Sequence, residues 1–553
     1  MKTISQIMTA VLIFTALSAS TAHADKSKGA ENSRKVNLQI LAINDFHGNI
    51  ATSSGAFGGT GRADFLAANI QAAEAASDHS ILVSAGDLIG ASPLISALFH
   101  DEPTIEAMNL IGLDINGVGN HEFDEGSSEL LRMQFGGSHP VDGDLDGDPF
   151  LGADFEFLAA NVINDVTGDT LLPPYTIRNY RGVNVAFIGM TLEGTPTIVS
   201  PAATAGLTFK DEVETVNALV STLQQRNIES IVVLLHEGGF SPGGQNDCDG
   251  GLFGPIAEIV PQLDDAVDLV IAGHTNDEFV CEIDGTWVTM ADTAGRLFTD
   301  IDVTLNQVTK DMTVVAINNV PNLQDGVTPD PTVTALIDKY DSLSAPLANT
   351  VVGTITSDIT RFRNAAGESA LGDVVSDTRL AATAPTGFGD AVVAFTNSGG
   401  IRDNLLFASA GPEADGEVTF AEAFSVQPFG NSLVTMDLTG AQIHALLEQQ
   451  WQGSTIRMLQ VSEGFTYTWD AAQPDGSRVD PTTIFINLVE VDPLATYRVT
   501  TSSFLAAGAG NFSVFLEGTN RLGGAIEVDS LAAYLGLNSP VAPGPQDRIT
   551  RIN

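Results

Sequence analysis

Positive charge is scarce in this sequence. Its 553 residues hold 24 Lys and Arg against 69 Asp and Glu, a formal net charge of −45. A surface of that sign repels nucleic acid and anionic membranes at long range. It predicts no nucleic-acid partner and no stable membrane association, and it leaves an anionic substrate to be drawn in by bound metal or a few arginines. Long apolar runs are missing too. Met8 to Leu17 is apolar but too short to cross a bilayer, and no later segment keeps up the roughly 18 apolar residues that a span needs. With Lys2 before it and Ala22-His23-Ala24 after it, that run makes residues 1–24 a secretory signal peptide cleaved before Asp25. Residues 25–35 read as a polar leader. The mature chain is therefore expected to be periplasmic or extracellular. Cysteine is limited to Cys248 and Cys281. An even count in an oxidising compartment favours one disulfide over two buried thiols, and closing such a loop is worth about 3 to 4 kcal/mol in the loop-entropy model. Three Trp and six Tyr leave 28 Phe to carry most of the aromatic burial.

What is present is a core and a repeated grammar. Hydrophobic residues make up 43% of the chain, as in folded globular proteins. Through the first two-thirds, an apolar, β-branched run ends and Asp, His or Asn follows beside glycine. VNLQILAIN leads to Asp45 and His47, SILVSA to Gly86-Asp87, and INGV to Gly119-Asn120-His121. SIVVLL leads to His236, and VDLVIA to Gly273-His274-Thr275-Asn276. Helical patterns such as RADFLAANIQAAEAAS lie between them. The alternation predicts an α/β protein, a largely buried sheet under helical layers, with its ligand at the strands' carboxyl ends. The Pro/Gly/Asp-rich NNVPNLQDGVTPDP closes this region, giving a domain over 36–330, a linker helix over 331–352 and a second α/β domain over 353–553. HPVDGDLDGDPF, with alternating aspartates but no glutamate at the twelfth position of a calcium loop, reads as a solvated loop.

The strand-end clusters offer Asp45, His47, Asp87, Asn120, His236, His274 and Asn276. These are oxygen and imidazole donors without thiolate, which suit Zn, Mn, Mg or Co. Seven donors exceed one tetrahedral site and match two metals sharing a carboxylate, a pair able to clamp a phosphoryl group and activate water. The densest cluster, GVGNHEFDEG, spans Gly117 to Gly126. Gly117 and Gly119 are expected to let the backbone approach the site and Phe123 to pack beneath it. Glu122 and Glu125 are expected to be bystander carboxylates on the outer side.

DFHG, GDLIG, GNHEFD, LLHEGG and GHTN, in this order, resemble the calcineurin-like metallophosphoesterases. With GESALGD, TNSGGIR, QPFGN and SFLAAGAGNF downstream, nearly the whole mature chain resembles the secreted 5'-nucleotidase/UDP-sugar hydrolase family. The resemblance implies a four-layer α/β/β/α sandwich followed by a substrate-binding α/β domain that rotates to carry substrate to the metals. It implies Asp45, His47 and Asn276 on one metal, Asp87 bridging, and Asn120, His236 and His274 on the other. Asn276 stands where the family has His or Gln; its carbonyl oxygen can coordinate, on a shorter side chain and as a weaker donor than imidazole. His121 and Asp124 match a dyad whose carboxylate orients an imidazole toward the transferring phosphoryl. The implied reaction is in-line attack by a metal-bound hydroxide on a nucleoside 5'-phosphate, with UDP-sugars or 2',3'-cyclic nucleotides as further substrates. Phe429 and Phe504 match the residues that sandwich the base, and Arg402 matches one that contacts the substrate. Arg361 and Arg363 lie where the family has others, with one of the two expected to face inward. Asn397 is expected to order the Gly399-Gly400 turn or bond the nucleoside. Gly510 replaces the family's ribose-binding Asp, with Asn511 as its candidate substitute. The alternatives are a sugar phosphate or a sulfur-containing anion at the same core, or a non-catalytic binding protein.

Overall fold

The computed structural model describes residues 34–197, 199, 203–452 and 455–553, so the signal peptide, its cleavage site and nearly all of the polar leader lie outside the described residues. Twelve strands build the two main sheets of the first domain: β1 (Lys35–Ile43), β2 (Ser80–Ser84), β3 (Ile115–Gly117), β4 (Glu156–Leu158), β5 (Tyr175–Tyr180), β6 (Val183–Met190), β7 (Ser230–Leu235), β8 (Leu269–Ala272), β9 (Glu278–Ile283), β10 (Thr286–Ala291), β11 (Leu297–Asn306) and β12 (Met312–Pro321). They form two mixed six-stranded sheets, in the orders β12-β11-β1-β2-β3-β4 and β9-β10-β8-β7-β6-β5. Strands β1 to β4 run parallel, as do β6, β7, β8 and β10.

The two-residue period of each strand assigns its faces. From β1, Val36, Leu38, Ile40 and Ala42 meet the other sheet, while Leu41 and Ile43 face the helices. From β6, Val183, Val185 and Phe187 turn inward and Ala186, Ile188 and Met190 outward. Helices α1 (Ala63–Glu74), α2 (Glu102–Ile111) and α3 (Ser127–Phe135) cover the first sheet, and α4 (Glu212–Gln225) covers the second. The four layers implied by the resemblance are thus present, as a pair of sheets each with one face on its partner and one on helices. Gly117 belongs to this contact between the sheets. A Cβ there would come within 2.8 Å of Leu234 Cβ and 3.0 Å of its carbonyl, so its bareness serves sheet packing rather than the site.

Helix α5 (Pro331–Ala348) begins where Asp330 accepts hydrogen bonds from the Thr332 and Val333 N–H groups, with proline in the first turn. It is docked rather than free. Val333 and Ile337 join the apolar cluster beneath the first sheet, Thr334 donates to Asp64, and the Tyr340 hydroxyl donates to Glu106 and Asp146 at 3.0 Å each. Asp146 also pairs with Lys339 at 2.6 Å, so this part of the aspartate-rich loop is fastened to α5.

The second domain carries a five-stranded sheet, order β15-β13-β16-β14-β17, from β13 (Val393–Asn397), β14 (Ser432–Thr439), β15 (Leu459–Val461), β16 (Thr496–Ser502) and β17 (Thr519–Ile526). Helices α6 (Ala370–Thr383) and α7 (Gly440–Glu448) pack with it, together with α8 (Glu527–Asn538). Cys248 and Cys281 form the disulfide, tying the loop after β7 to β9. Among the described residues no helix is long and apolar enough to cross a membrane.

Candidate dimetal site and substrate cavity

Both sheets deliver their parallel strands' carboxyl ends to one place. The turns there are tight, and Asp45, His47, Asp87, His274 and Asn276 all have φ between 48° and 75°. Non-glycine residues seldom adopt this left-handed region, and when several do so together the surrounding structure must hold them in place. Gly119 lets two of the turns meet, because a Cβ on it would overlap Asp87 Oδ1 and lie 2.7 Å from His236 Cε1.

The histidines are aimed. His47 Nδ1 lies 2.9 Å from the Gly90 carbonyl, leaving Nε2 at 3.9 Å from both Asp45 and Asp87. His236 Nδ1 lies 2.7 Å from the Ala85 carbonyl, leaving Nε2 at 3.0 Å from Asp87 Oδ2 and 3.2 Å from Asn120 Oδ1. A backbone carbonyl on the far ring nitrogen is how metal-bound imidazoles are oriented. Asp45, fully buried, accepts from the His274 N–H and from the Asn44 amide. Two groups of potential ligands result, one of His47, Asp87 and His121 and one of Asp87, His236 and His274, with Asp87 common to both. Burial pushes the His47 and His274 imidazoles down to about 4, which keeps them neutral as a ligand must be. Burial opposes the charge on Asp87, but His236, His121 and His47 outweigh it and hold its carboxyl far below the usual range. The donor set therefore fits two borderline divalent cations sharing one carboxylate. Asn276 stands two residues beyond His274. It is exposed, and its amide donates to the His274 carbonyl 3.1 Å away.

His121 opens a short 3-10 turn, His121–Phe123, that brings its Nδ1 to 2.7 Å from Asp124 Oδ2. Burial disfavours its charge, yet Asp124 and Asp87 push the imidazole up to about 9. Phe123 is fully buried under this turn. Glu122 is no bystander. It is buried, and its two oxygens accept the N–H groups of Asp87 (3.0 Å), Leu88 (2.9 Å) and Gly119 (2.7 Å). It joins the turns that follow β2 and β3. Nothing in its spacing signalled this, because the N–H groups it serves come from turns whose meeting is tertiary. Glu125 is half exposed but also engaged, 2.8 Å from His100 Nδ1.

The second domain faces this turn across a cavity of about 1070 Å³, lined by His121 and Asp124 on one side and by Asn397, Gly400, Phe429 and Phe504 on the other. The Phe429 ring lies nearly parallel to the His121 imidazole, 6.2 Å away, and the Arg402 guanidinium sits 5.6 Å from the Phe429 centroid. Both Arg361 and Arg363 line the cavity, where one had been expected. Arg457 and Arg551, which no motif singled out, line it as well, and Arg551 lies over the Trp469 ring. Among the described residues none of these five arginines forms an ion pair, in a chain with far more carboxylates than cations. Asn511 does not line the cavity. With Gly510 and Asn511 both left-handed, it is Gly510 that faces the cavity, while Asn511 is exposed and its carbonyl accepts from Gln452.

Residues 38–277 match the family model of calcineurin-like phosphoesterases, and residues 351–517 match that of the 5'-nucleotidase C-terminal domain. The chain is 31% identical over 549 residues to endonuclease YhcR of Bacillus subtilis, an alignment covering 97% of this chain and 43% of that protein. It is 32% identical to cell wall protein Lmo0130 of Listeria monocytogenes, covering 87% of this chain and 64% of that one. It thus spans less than two-thirds of either relative. A 5'-nucleotidase of Vibrio cholerae is 25% identical over 97% of this chain and 96% of its own. The crystal structure of a 5'-nucleotidase precursor from Thermus thermophilus, 24% identical, superposes with a TM-score of 0.73 over 94% of this chain and all of that one, and shows the same fold.

Proposed function

The chain belongs to the 5'-nucleotidase family, a calcineurin-like phosphoesterase domain followed by a 5'-nucleotidase C-terminal domain, and from that premise we propose that it releases phosphate from nucleoside 5'-phosphates outside the cytoplasm. The observation that carries the proposal is the placement of the His121–Asp124 pair between the two ligand groups and the Phe429/Arg402 wall. Asp45, His47 and Asp87 would hold one cation, and Asp87, Asn120, His236 and His274 the other. Two divalent cations bound there supply Lewis acidity and an activated water. His121, kept protonated by Asp124, donates to the phosphoryl or leaving oxygen as negative charge develops there. Arg361, Arg363 and Arg402 hold the phosphate and exclude other counter-ions. Phe429 and Phe504 stack on the base, a contact that tolerates base identity. Asn397, which lines the cavity and does not cap the Gly399-Gly400 turn, would bond the nucleoside.

The test is phosphate release from AMP. Asp87→Asn is expected to abolish turnover and His121→Ala to lower kcat at least about a hundredfold, each with a native circular dichroism spectrum. Phe429→Ala is expected to raise KM. Full activity in either of the first two variants, or after exhaustive chelation, removes the proposal. Arg457 and Arg551, lining the cavity without ion pairs, favour a second reading, a substrate with a further phosphate such as a UDP-sugar. In that case Arg457→Glu depresses UDP-glucose hydrolysis and spares that of AMP.

A further inference from the structure

The chain has nine histidines, and two of them meet at the surface, away from the residues proposed to hold the cation pair. His100 follows the short helix Leu94–Ala97, and His139 lies in the loop between α3 and β4. Their rings are stacked, with centroids 3.7 Å apart and 18° between planes. Two carboxylates flank the stack. Glu125 Oε2 is 2.8 Å from His100 Nδ1, and Asp142 Oδ2 is 3.1 Å from His100 Nε2 and 3.3 Å from His139 Nδ1. One donor atom from each of His100, Glu125 and His139 lies within 4.8 Å of the others.

The division of labour among these atoms points to an ion. Asp142 occupies one nitrogen of each ring, as the orienting carboxylate does at a metal-bound imidazole. It leaves His139 Nε2, and His100 Nδ1 with Glu125 at 2.8 Å, as the edges that a cation would share. Without a cation, the Asp142 N–H donates to His139 Nδ1 at 3.1 Å, which puts that ring's proton on Nε2. Binding a cation at Nε2 releases that proton and selects the tautomer with its proton on Nδ1, where Asp142 Oδ2 accepts it. Bonds of about 2.0 to 2.2 Å place zinc ligands about 3.4 Å apart, so closing the site takes side-chain movement of about an ångström. His139 stands on a loop and Glu125 is half exposed, so both can make that movement. Burial opposes the charge on His100, but Glu125 and Asp142 push its imidazole up to about 8, so a cation at Nδ1 displaces a proton there, and the two carboxylates then balance the dication in charge.

We propose that His100, Glu125 and His139, oriented by Asp142, form a third divalent-cation site, separate from the shared-carboxylate pair and selective for zinc-like ions. The ion fastens the loop between α3 and β4 to the turn carrying Asp124, the residue next to Glu125. The inference stands whether or not the phosphate-release proposal holds, because its test counts metal. The protein is loaded with zinc, dialysed, and analysed by plasma mass spectrometry. The His100→Ala/His139→Ala variant is expected to hold one equivalent less than the parent, with AMP hydrolysis retained to within about twofold. Glu125→Gln, at a half-exposed position, guards against a double variant that fails to fold. Calorimetric titration with zinc should show the third site weakened at least tenfold in Glu125→Gln. Equal zinc content in parent and double variant, or an unchanged titration in Glu125→Gln, overturns the proposal.

Discussion

Glu122 shows what a residue does when its backbone neighbours cannot satisfy themselves. The left-handed turn after β2 and the loop after β3 point three buried N–H groups inward, and one carboxylate accepts them all. Each donor left bare costs about 1 to 3 kcal/mol. Glu122→Ala is therefore expected to lower Tm by several degrees and weaken metal binding, with Glu122→Gln in between, as calorimetry and metal titration would show. Asp268 gives a pH-dependent case. Burial pushes its carboxyl up to about 8, with Asp311 and Glu229 adding to the rise. The folded state then holds a proton that the unfolded chain has lost, so between about pH 4 and pH 8 stability falls as pH rises. Asp268→Asn, which keeps an acceptor for the Ile231 N–H, should raise Tm at pH 8 and leave it unchanged at pH 4. Asp45, His47, Asp87, Asn120, His121, His236 and His274 were legible in sequence because each closely follows an apolar strand, and strand ends are where such sheets bind. Glu122, Arg457 and Arg551 were not, nor was the place of Asn511 outside the cavity. Side-chain direction in a left-handed loop has no period to read.

At the scale of elements, alternation told which residues of β1 or β6 share a face, but not what each face meets. Parallel strands with both faces buried read alike whether they lie under helices or under another sheet. That is why alternation alone pointed only to a buried sheet while the two-sheet sandwich came from the family resemblance, and why Gly117 was assigned to the site when it packs on Leu234. The disulfide was legible from compartment and count. It closes a separation of 33 residues, worth about 3 to 4 kcal/mol in the loop-entropy model. Reduction, or a Cys248→Ser/Cys281→Ser pair, should lower the unfolding temperature without changing metal content, since neither cysteine lies among the converging donors. A thermal scan beside a metal assay separates the two effects.

Across the whole molecule, the boundary expected near residue 331 marks a change of structure but not of allegiance, because α5 belongs in packing to the first domain. Only Asn349 and Thr350 separate its last turn from the strand at Val351–Thr354. Two residues reach no more than about 7 Å. The chain at that point is thus a short leash: any pivot of the second domain would leave the wall that bears Phe429 near His121. The leash sets an effective concentration of one domain for the other, which falls roughly as the −3/2 power of tether length. Inserting eight Gly/Ser residues after Asn349 should lower kcat/KM for AMP by about tenfold while each domain keeps its own fold. The proximity that chemistry at this cleft draws on would then reside in a dipeptide that touches no ligand.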